Sequence, residues 1–313
     1  MKCLKKDLNC NMHIPVMLKE VLEALEIKQN GVYIDLTLGR AGHASAILKS
    51  IKNGRFIGFD KDIIAIEESQ SRLEKINNNF NLIHCDFKYF RNELSKLGIT
   101  EVDGIIADLG VSSPQLDSSD RGFSYSKNGF LDMRMDQGQS LKAWDIVNTW
   151  SKEKLVDIFI NNADVKMPVR VANAIIENRP INSTLDLANV VKASLPARIV
   201  RQKNPGKTVF QAIRIAVNNE LESLDIILKD SIEILKNNGI LAIITFHSIE
   251  DRIVKKFFGN LIRSKIDPKL PIQEIREYKV KTLYPTKKEI SNNKRSRSAK
   301  LRVLKKVKES FNE

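Results

Sequence analysis

Asp35-Leu36-Thr37-Leu38-Gly39-Arg40-Ala41-Gly42-His43 is the stretch on which the fold turns. It closes an apolar run that begins at Val32 and opens a helical pattern from Gly42 to Ile51. A strand that passes through small residues into a helix lets a ligand approach the backbone closely. The free N–H groups of the helix's first turn then face that ligand. The dinucleotide fingerprint G-x-G-x-x-G is met only in part: Gly39 and Gly42 match, but Thr37 holds the first glycine position. A tight strand–helix turn without a ligand is the plain alternative.

The chain on either side arbitrates. Phe56–Asp60 reads as a second strand with a helix through Ile76, Phe80–His84 as a third with a helix through Leu97, and Val102–Leu109 as a fourth. This alternation predicts a doubly wound parallel sheet with helices on both faces and right-handed crossovers. Asp60, at the tip of the second strand, is placed to accept both ribose hydroxyls of an adenosine. The fourth strand runs into Asp108-Leu109-Gly110-Val111-Ser112-Ser113-Pro114-Gln115-Leu116-Asp117. Ligands of such sheets bind beyond the carboxyl ends of the strands, so Asp108, Ser112, Ser113 and Gln115 should share a cleft with Asp60.

After Leu109 the rhythm stops. Val111 to Met135 reads as loop, and Trp144 to Leu195 as helices, with Ser151 opening one and Thr184 capping another. Phe210–Leu235 reads as one long helix and Gly239–Phe246 as a buried central strand. Ser248 to Asp251 reads as a capping box with Asp251 in place of the usual Glu or Gln. The organisation expected is an α/β domain in two pieces, 12–115 and 209–313, interrupted by a mostly helical insertion, 116–208, that would recognise substrate.

With 313 residues, 42% hydrophobic and 28% charged, the composition is globular. Cys3, Cys10 and Cys85 are too few for a disulfide scaffold and point to a reducing, cytoplasmic compartment. Ile240–Phe246 is too short to span a bilayer, so no membrane role is expected. Met1–Asn11 carries Lys2, Lys5, Lys6 and Asp7 with no apolar run, unlike a secretory signal. His13, His43, His84 and His247 lack zinc-ligand spacing, and no metal is expected. Gly206-Lys207-Thr208 resembles the end of a phosphate loop, but Arg201 stands where that loop needs glycine and no strand precedes it.

The net charge of +13 is concentrated in one place: Lys279 to Lys308 holds 12 Lys or Arg against the single acid Glu289. Such a strip attracts phosphates. Within it Leu301 and Val303 alternate with Lys300 and Arg302 as in a half-buried strand. The strip should track a phosphate backbone, so truncation ahead of Lys279 should flatten the salt dependence of RNA binding. A nicotinamide oxidoreductase would share the βαβ units but is disfavoured by Thr37. A non-catalytic RNA-binding protein would explain the strip but not a nucleotide cleft. An amino-methyltransferase acting on DNA or transfer RNA fits the cleft equally well.

The segments that separate these readings are His13-Ile14-Pro15-Val16, Asp35 to His43, Asp108 to Asp117, Arg121-Gly122-Phe123-Ser124, Leu131-Asp132-Met133-Arg134-Met135-Asp136, Phe210 to Ile215, and Phe246 to Lys255. Together they resemble the RsmH (MraW) methyltransferases over nearly the whole chain. The resemblance implies a class I S-adenosylmethionine-dependent fold, Rossmann-like, with a helical insertion. It implies methylation of the exocyclic N4 of a cytidine, 1402, in the decoding region of 16S rRNA, with the small ribosomal subunit as partner. Position by position it implies cofactor contacts from Ala41, Gly42, His43, Asp60, Phe87, Asp108 and Gln115. The chain departs from the family pattern at Ala41, where glycine is usual, at Ala163–Pro168, and at Thr208.

A cytosine amine is a poor nucleophile because its lone pair is delocalised into the ring. Catalysis therefore needs acceptors for the amino hydrogens and in-line positioning. Asp108 and the Leu109–Ser113 loop, Ser112 included, are the candidates. Phe246 or His247, at the end of the later strand, is the candidate to stack on an unpaired base.

Overall fold

The computed structural model describes residues 15–202, 204–263 and 277–307. Cys3, Cys10, His13, Lys308 and the segment Met1–Asn11 lie outside them. Among the described residues seven strands form one sheet: β1 (Val32–Asp35), β2 (Arg55–Asp60), β3 (Phe80–His84), β4 (Val102–Asp108), β5 (Leu235–Thr245), β6 (Tyr278–Leu283) and β7 (Lys300–Lys306). Their order is β3-β2-β1-β4-β5-β7-β6. The first five are parallel, and β7 and β6 add antiparallel at one side. This is the mostly parallel, Rossmann-like α/β architecture expected. The apolar runs of β1, β4 and β5 are buried because helices cover both faces. The order reverses beside β1, so the tips of β1, β2 and β4 flank the switch point where a ligand fits.

Four local readings change. The loop expected from Val111 to Met135 contains a short helix, Ser113–Asp117, with Pro114 in its first turn. The single helix expected over Phe210–Leu235 is two, Gly206–Asn218 and Glu220–Ile234, with Asn219 between them in the left-handed region at φ 51°. Asparagine tolerates that conformation, and periodicity does not register so short a break. Ser183 rather than Thr184 caps the helix that follows, its Oγ accepting from the Asp186 N–H. Thr184 instead donates to the Lys127 carbonyl and accepts from the Gly129 N–H, pinning that loop. The cap after β5 is also one residue earlier than expected. His247 Nδ1 accepts from the Glu250 N–H, and Glu250 returns its carboxylate to the N–H groups of Phe246 and His247.

That shift frees Asp251 for another task. Its carboxylate receives Arg302 Nε and Lys300 Nζ, each at 2.7 Å. Burial alone would raise Asp251, but these two cations outweigh it and hold its carboxyl below the usual range. The strand expected from Leu301 and Val303 is β7. It lies inside the sheet between β5 and β6, and Leu301, Arg302, Val303 and Leu304 are all buried. The basic strip is therefore not a free arm. Truncation ahead of Lys279 removes two strands of the sheet and cannot report on salt dependence alone.

The helical segment between β4 and β5 has its own core. Phe123, Leu131 and Met133 pack there with Leu155, Phe159, Val171, Ile175, Leu187 and Val191. The helix Gly206–Asn218 contributes Val209, Phe210, Ala212, Ile213 and Val217 to the same cluster. The sheet keeps two separate clusters, one on each face.

Candidate functional site

The tips of β1, β2, β4 and β5 open into a cavity of about 590 Å³. That falls within the volume range of small-molecule and cofactor sites. Gly42, His43, Asp60, Phe87, Asp108, Ser112 and Gln115 all line it. Ala41 sits directly behind, fully buried, and shapes the turn rather than the cavity wall.

The turn is built by hydrogen bonds to strand-tip acids. Asp35 Oδ1 accepts from the Thr37 N–H, and Thr37 Oγ1 accepts from the Asp108 N–H at 2.6 Å, tying β1 to β4. Asp60 Oδ2 accepts from the Gly39 N–H at 2.8 Å and Oδ1 from the Asp62 N–H at 2.9 Å. Each carboxylate oxygen has a second lone pair, so Asp60 keeps acceptor capacity toward the cavity while holding the turn. Gly42 is required by contact: a Cβ there would lie 2.4 Å from Pro15 Cγ. Ala41 adopts φ 54°, the left-handed region that favours glycine. The substitution is therefore accommodated with strain.

Gln115 is buried, its Oε1 accepting from the Ser112 N–H and its Nε2 donating to Asp62 Oδ2. Asp62 Oδ2 also receives Arg121 Nη1 at 2.9 Å, and Arg121 Nη2 donates to the carbonyls of Arg134 and Met135. Asp60 and Gln115 therefore share one wall, joined through Asp62. Asn218 continues the chain of contacts. Its amide bonds the backbone of Met133 and Met135, and its carbonyl accepts from buried Lys61. Lys61 Nζ in turn lies 5.9 Å from the centre of the Phe87 ring.

Asp62, Arg121 and Asn218 were not singled out from the sequence. The one legible trace was Arg121, inside the Arg-Gly-Phe-Ser segment.

Three carboxyls crowd the strand tips. Burial pushes Asp35 up to about 7, with the charge of Asp60 adding to it. Burial likewise raises Asp60 to about 6 against the opposing N–H groups of Asp62 and Gly39. Asp108 is raised well above the ordinary carboxylate value by burial and then by the charges of Asp35 and Glu250. Its Oδ1 is buried and has no hydrogen-bond partner among the described residues. Its Oδ2 faces His43 Nδ1 at 3.9 Å. His43 Nε2 lies 3.0 Å from the Val16 carbonyl, which only accepts, so the proton is on Nε2. A buried carboxyl oxygen without a partner, at the edge of the cavity, fits a ligand that carries positive charge. A cation arriving there draws Asp108 back to its ionised form.

His247 is held differently from expectation. Its Nδ1 accepts the helix N–H, and its Nε2 stands 2.9 Å from Glu250 Oε1. Burial would raise Glu250, but His247, Arg214 and the Phe246 N–H outweigh it and keep the carboxyl low. The imidazole is thus engaged in the cap, and both it and Phe246 line the cavity. His84 Nε2 contacts the Lys61 carbonyl, a structural role. Among the described residues no cluster of His, Cys, Asp or Glu could hold a metal ion, and no helix is long and apolar enough to cross a membrane.

Comparison with known proteins shows what the chain is similar to. The sequence profile of the MraW methylase family matches residues 10–307. "Ribosomal RNA small subunit methyltransferase H" of Mycoplasmopsis agalactiae is 58% identical over 297 residues, covering 95% of this chain and 99% of the relative. The protein of the same name from Mycoplasmopsis synoviae is 53% identical over 299 residues, covering 96% and 99%. Among solved structures, an rRNA methylase from Streptococcus thermophilus aligns over 95% of this chain and 99% of its own, at TM-score 0.45 and 12% identity.

Proposed function

The chain belongs to the MraW methylase family, and we propose that it uses S-adenosylmethionine to methylate N4 of a decoding-region cytidine, position 1402 of 16S rRNA, in the small ribosomal subunit. The observation that carries the reading is the orphaned, buried Oδ1 of Asp108 at the tip of β4, beside a nucleotide-sized cavity. When bound, the cofactor supplies a methyl group on a positively charged sulfur.

The residues then divide the work. Asp60 accepts from ribose hydroxyls with its remaining lone pairs, and Phe87 packs on the adenine face. Gly42 and His43 bring the turn close to the ligand, Ala41 holds that turn, and Gln115 keeps the wall it shares with Asp60 in register. Asp108 answers the ligand's positive charge. An ionised Asp108 carboxylate and the backbone carbonyls of Leu109–Ser113, with Ser112 Oγ, accept the amino hydrogens. That localises the nitrogen lone pair. The proton released from N4 passes to Asp108 or to water. Phe246 stacks on the extruded base, and the insertion 116–208 holds the RNA around it. The setting is the cytoplasm, where the small subunit is assembled.

The test is transfer of labelled methyl from S-adenosylmethionine to small ribosomal subunits and to naked RNA, followed by nucleoside digestion. N4-methylcytidine is the expected product. Label recovered in another nucleoside, or in none, overturns the assignment.

A further inference from the structure

The strip Lys279–Lys308 is not where its charge alone would place it, and this asks which of its cations are free to act. Lys300 and Arg302 are occupied by Asp251, and Lys305 by Glu26. Between β6 and β7, however, the chain leaves the sheet and crosses to the mouth of the cavity. There Glu289 accepts from the Met17 N–H, and Arg295 and Ser298 reach the cavity lining.

Two other cations meet them from remote parts of the sequence. Lys127 stands on the loop pinned by Thr184. Lys207 opens the helix Gly206–Asn218, whose first residue sits against Tyr125, two positions before Lys127. All three cations are exposed and line the same cavity. Asp117 stands between two of them: its carboxylate lies 3.2 Å from Arg295 Nη2 and 3.8 Å from Lys127 Nζ, and Lys127 Nζ donates to its backbone carbonyl at 2.5 Å. Among the described residues Lys207 has no acidic partner. A carboxylate bound by an Arg and faced by a Lys presents the acceptor pair that a phosphodiester presents.

We propose that Lys127, Lys207 and Arg295 form a phosphate site at the cavity mouth, which seats a backbone phosphate of single-stranded RNA next to the extruded nucleotide, and that Asp117 is the internal stand-in this phosphate displaces. The proposal rests on the reading of the chain as an RNA methyltransferase and adds the residues that grip the strand. Its location argues for RNA rather than a small anion. The site rims the cavity instead of lying in it, and the three side chains are solvated and come from three segments. That arrangement suits a polymer laid across the opening. Phosphate contacts of this kind fix register without reading sequence, leaving base choice to the cavity beneath.

The experiment uses the full chain and a short single-stranded RNA containing one cytidine. Wild type is compared with the triple variant Lys127→Gln, Lys207→Gln, Arg295→Gln. A control triple removes Lys49, Lys75 and Lys229, exposed residues that do not line the cavity. S-adenosylhomocysteine binding is measured on all three proteins to show that the inner cleft is intact. Loss of contacts to single-stranded RNA should reduce the slope of log K against log salt by about 0.7 for each phosphate released. The site triple should therefore lose RNA affinity at least tenfold at low salt with a flatter slope, while the control triple keeps the wild-type slope.

Asp117→Asn, which removes the stand-in, should bind the RNA about threefold more tightly at low salt, a shift of under 1 kcal/mol. An unchanged slope in the site triple with cofactor binding intact overturns the site, and weaker binding by Asp117→Asn overturns the stand-in. These outcomes stay separate from the function reading, which is judged by whether wild type transfers methyl to small subunits at all.

Discussion

The two ends of the cavity are built on opposite plans. At the strand tips, polar groups bind one another and acids crowd together: Asp35, Asp60 and Asp108 are all raised in pKa by burial. At the mouth the side chains are solvated, and the surplus charge is positive: Lys127, Lys207 and Arg295 against Asp117. The inner end is a rigid socket suited to a small cation, because its frame is fixed before anything arrives. The outer end suits a flexible polyanion. On the proposed reading, such a polarity would favour a cationic ligand at the inner end and a polyanion at the outer one.

The sharpest way to break this contrast is to loosen the socket. Arg121 is buried and supplies the cation facing Asp62. Arg121→Met leaves that carboxylate buried without its charge partner, a loss of about 3 kcal/mol, and frees Gln115 to drift. Urea unfolding checks the stability and a cofactor titration checks the drift. A loss below about 1 kcal/mol would mean the inner frame is as tolerant as the rim.

Asp108→Asn comes next. Removing a charge-assisted contact of about 1.5–3 kcal/mol should weaken S-adenosylmethionine binding by about tenfold to a hundredfold. S-adenosylhomocysteine, whose sulfur is neutral, should be affected less. If turnover at saturating cofactor is unchanged, Asp108 holds the ligand and takes no part as an acceptor for the amine.

The same acid sets the pH dependence. Asp108 is raised in the free protein, and a cationic ligand selects its ionised form. Binding should therefore release a proton and strengthen as pH rises, an effect absent from the Asn variant. Stability runs the other way. Asp35 at about 7 and Asp60 at about 6 bind protons in the folded state that the unfolded chain has already lost. From about pH 4 to 7 the folded state holds more protons, so stability falls as pH climbs through that window. Thermal unfolding without ligand should show the higher midpoint near pH 5, and Asp35→Asn should flatten the trend. A midpoint that rises toward pH 8 would show that these acids are ionised in the fold.

The contrast also explains what could be read from sequence. The parallel strands and their tips were legible because an apolar β-branched run closed by Asp is a local pattern. Asp35, Asp60 and Asp108 each end such a run. The bonds that turn the tips into a socket were not legible, since Gln115 to Asp62 and Asn218 to Met135 join residues far apart in sequence. The basic strip misled for a related reason. Composition counts charges without their partners, and Arg302 is buried on an interior strand because Asp251, one turn into a helix, faces it. The His247 cap was displaced by one residue because imidazole is an unusual N-cap acceptor and Ser248 a common one.

Phe246→Ala tests the boundary between the two ends. A stacking face contributes about 1–3 kcal/mol per base, so RNA affinity should fall while cofactor affinity holds. The reverse pattern would assign Phe246 to the socket, where it packs against the sheet cluster.

The smallest effect is expected where the chain looks most anomalous. Ala41 holds φ 54° with its methyl fully buried. Glycine there would relieve about 1–2 kcal/mol of left-handed strain. Against that, glycine costs roughly 0.5–1 kcal/mol in unfolded-state freedom, and the lost methyl costs about 0.8 kcal/mol of burial. The contributions nearly cancel, so Ala41→Gly should change stability by less than about 0.5 kcal/mol and leave cofactor affinity intact. Gly42→Ala, one residue on, should not be silent, because its new methyl meets Pro15. If both changes weakened the cofactor equally, the turn would be set by backbone freedom. The expected split assigns it instead to the close contact of Pro15 with Gly42, which the Ala41 methyl does not disturb.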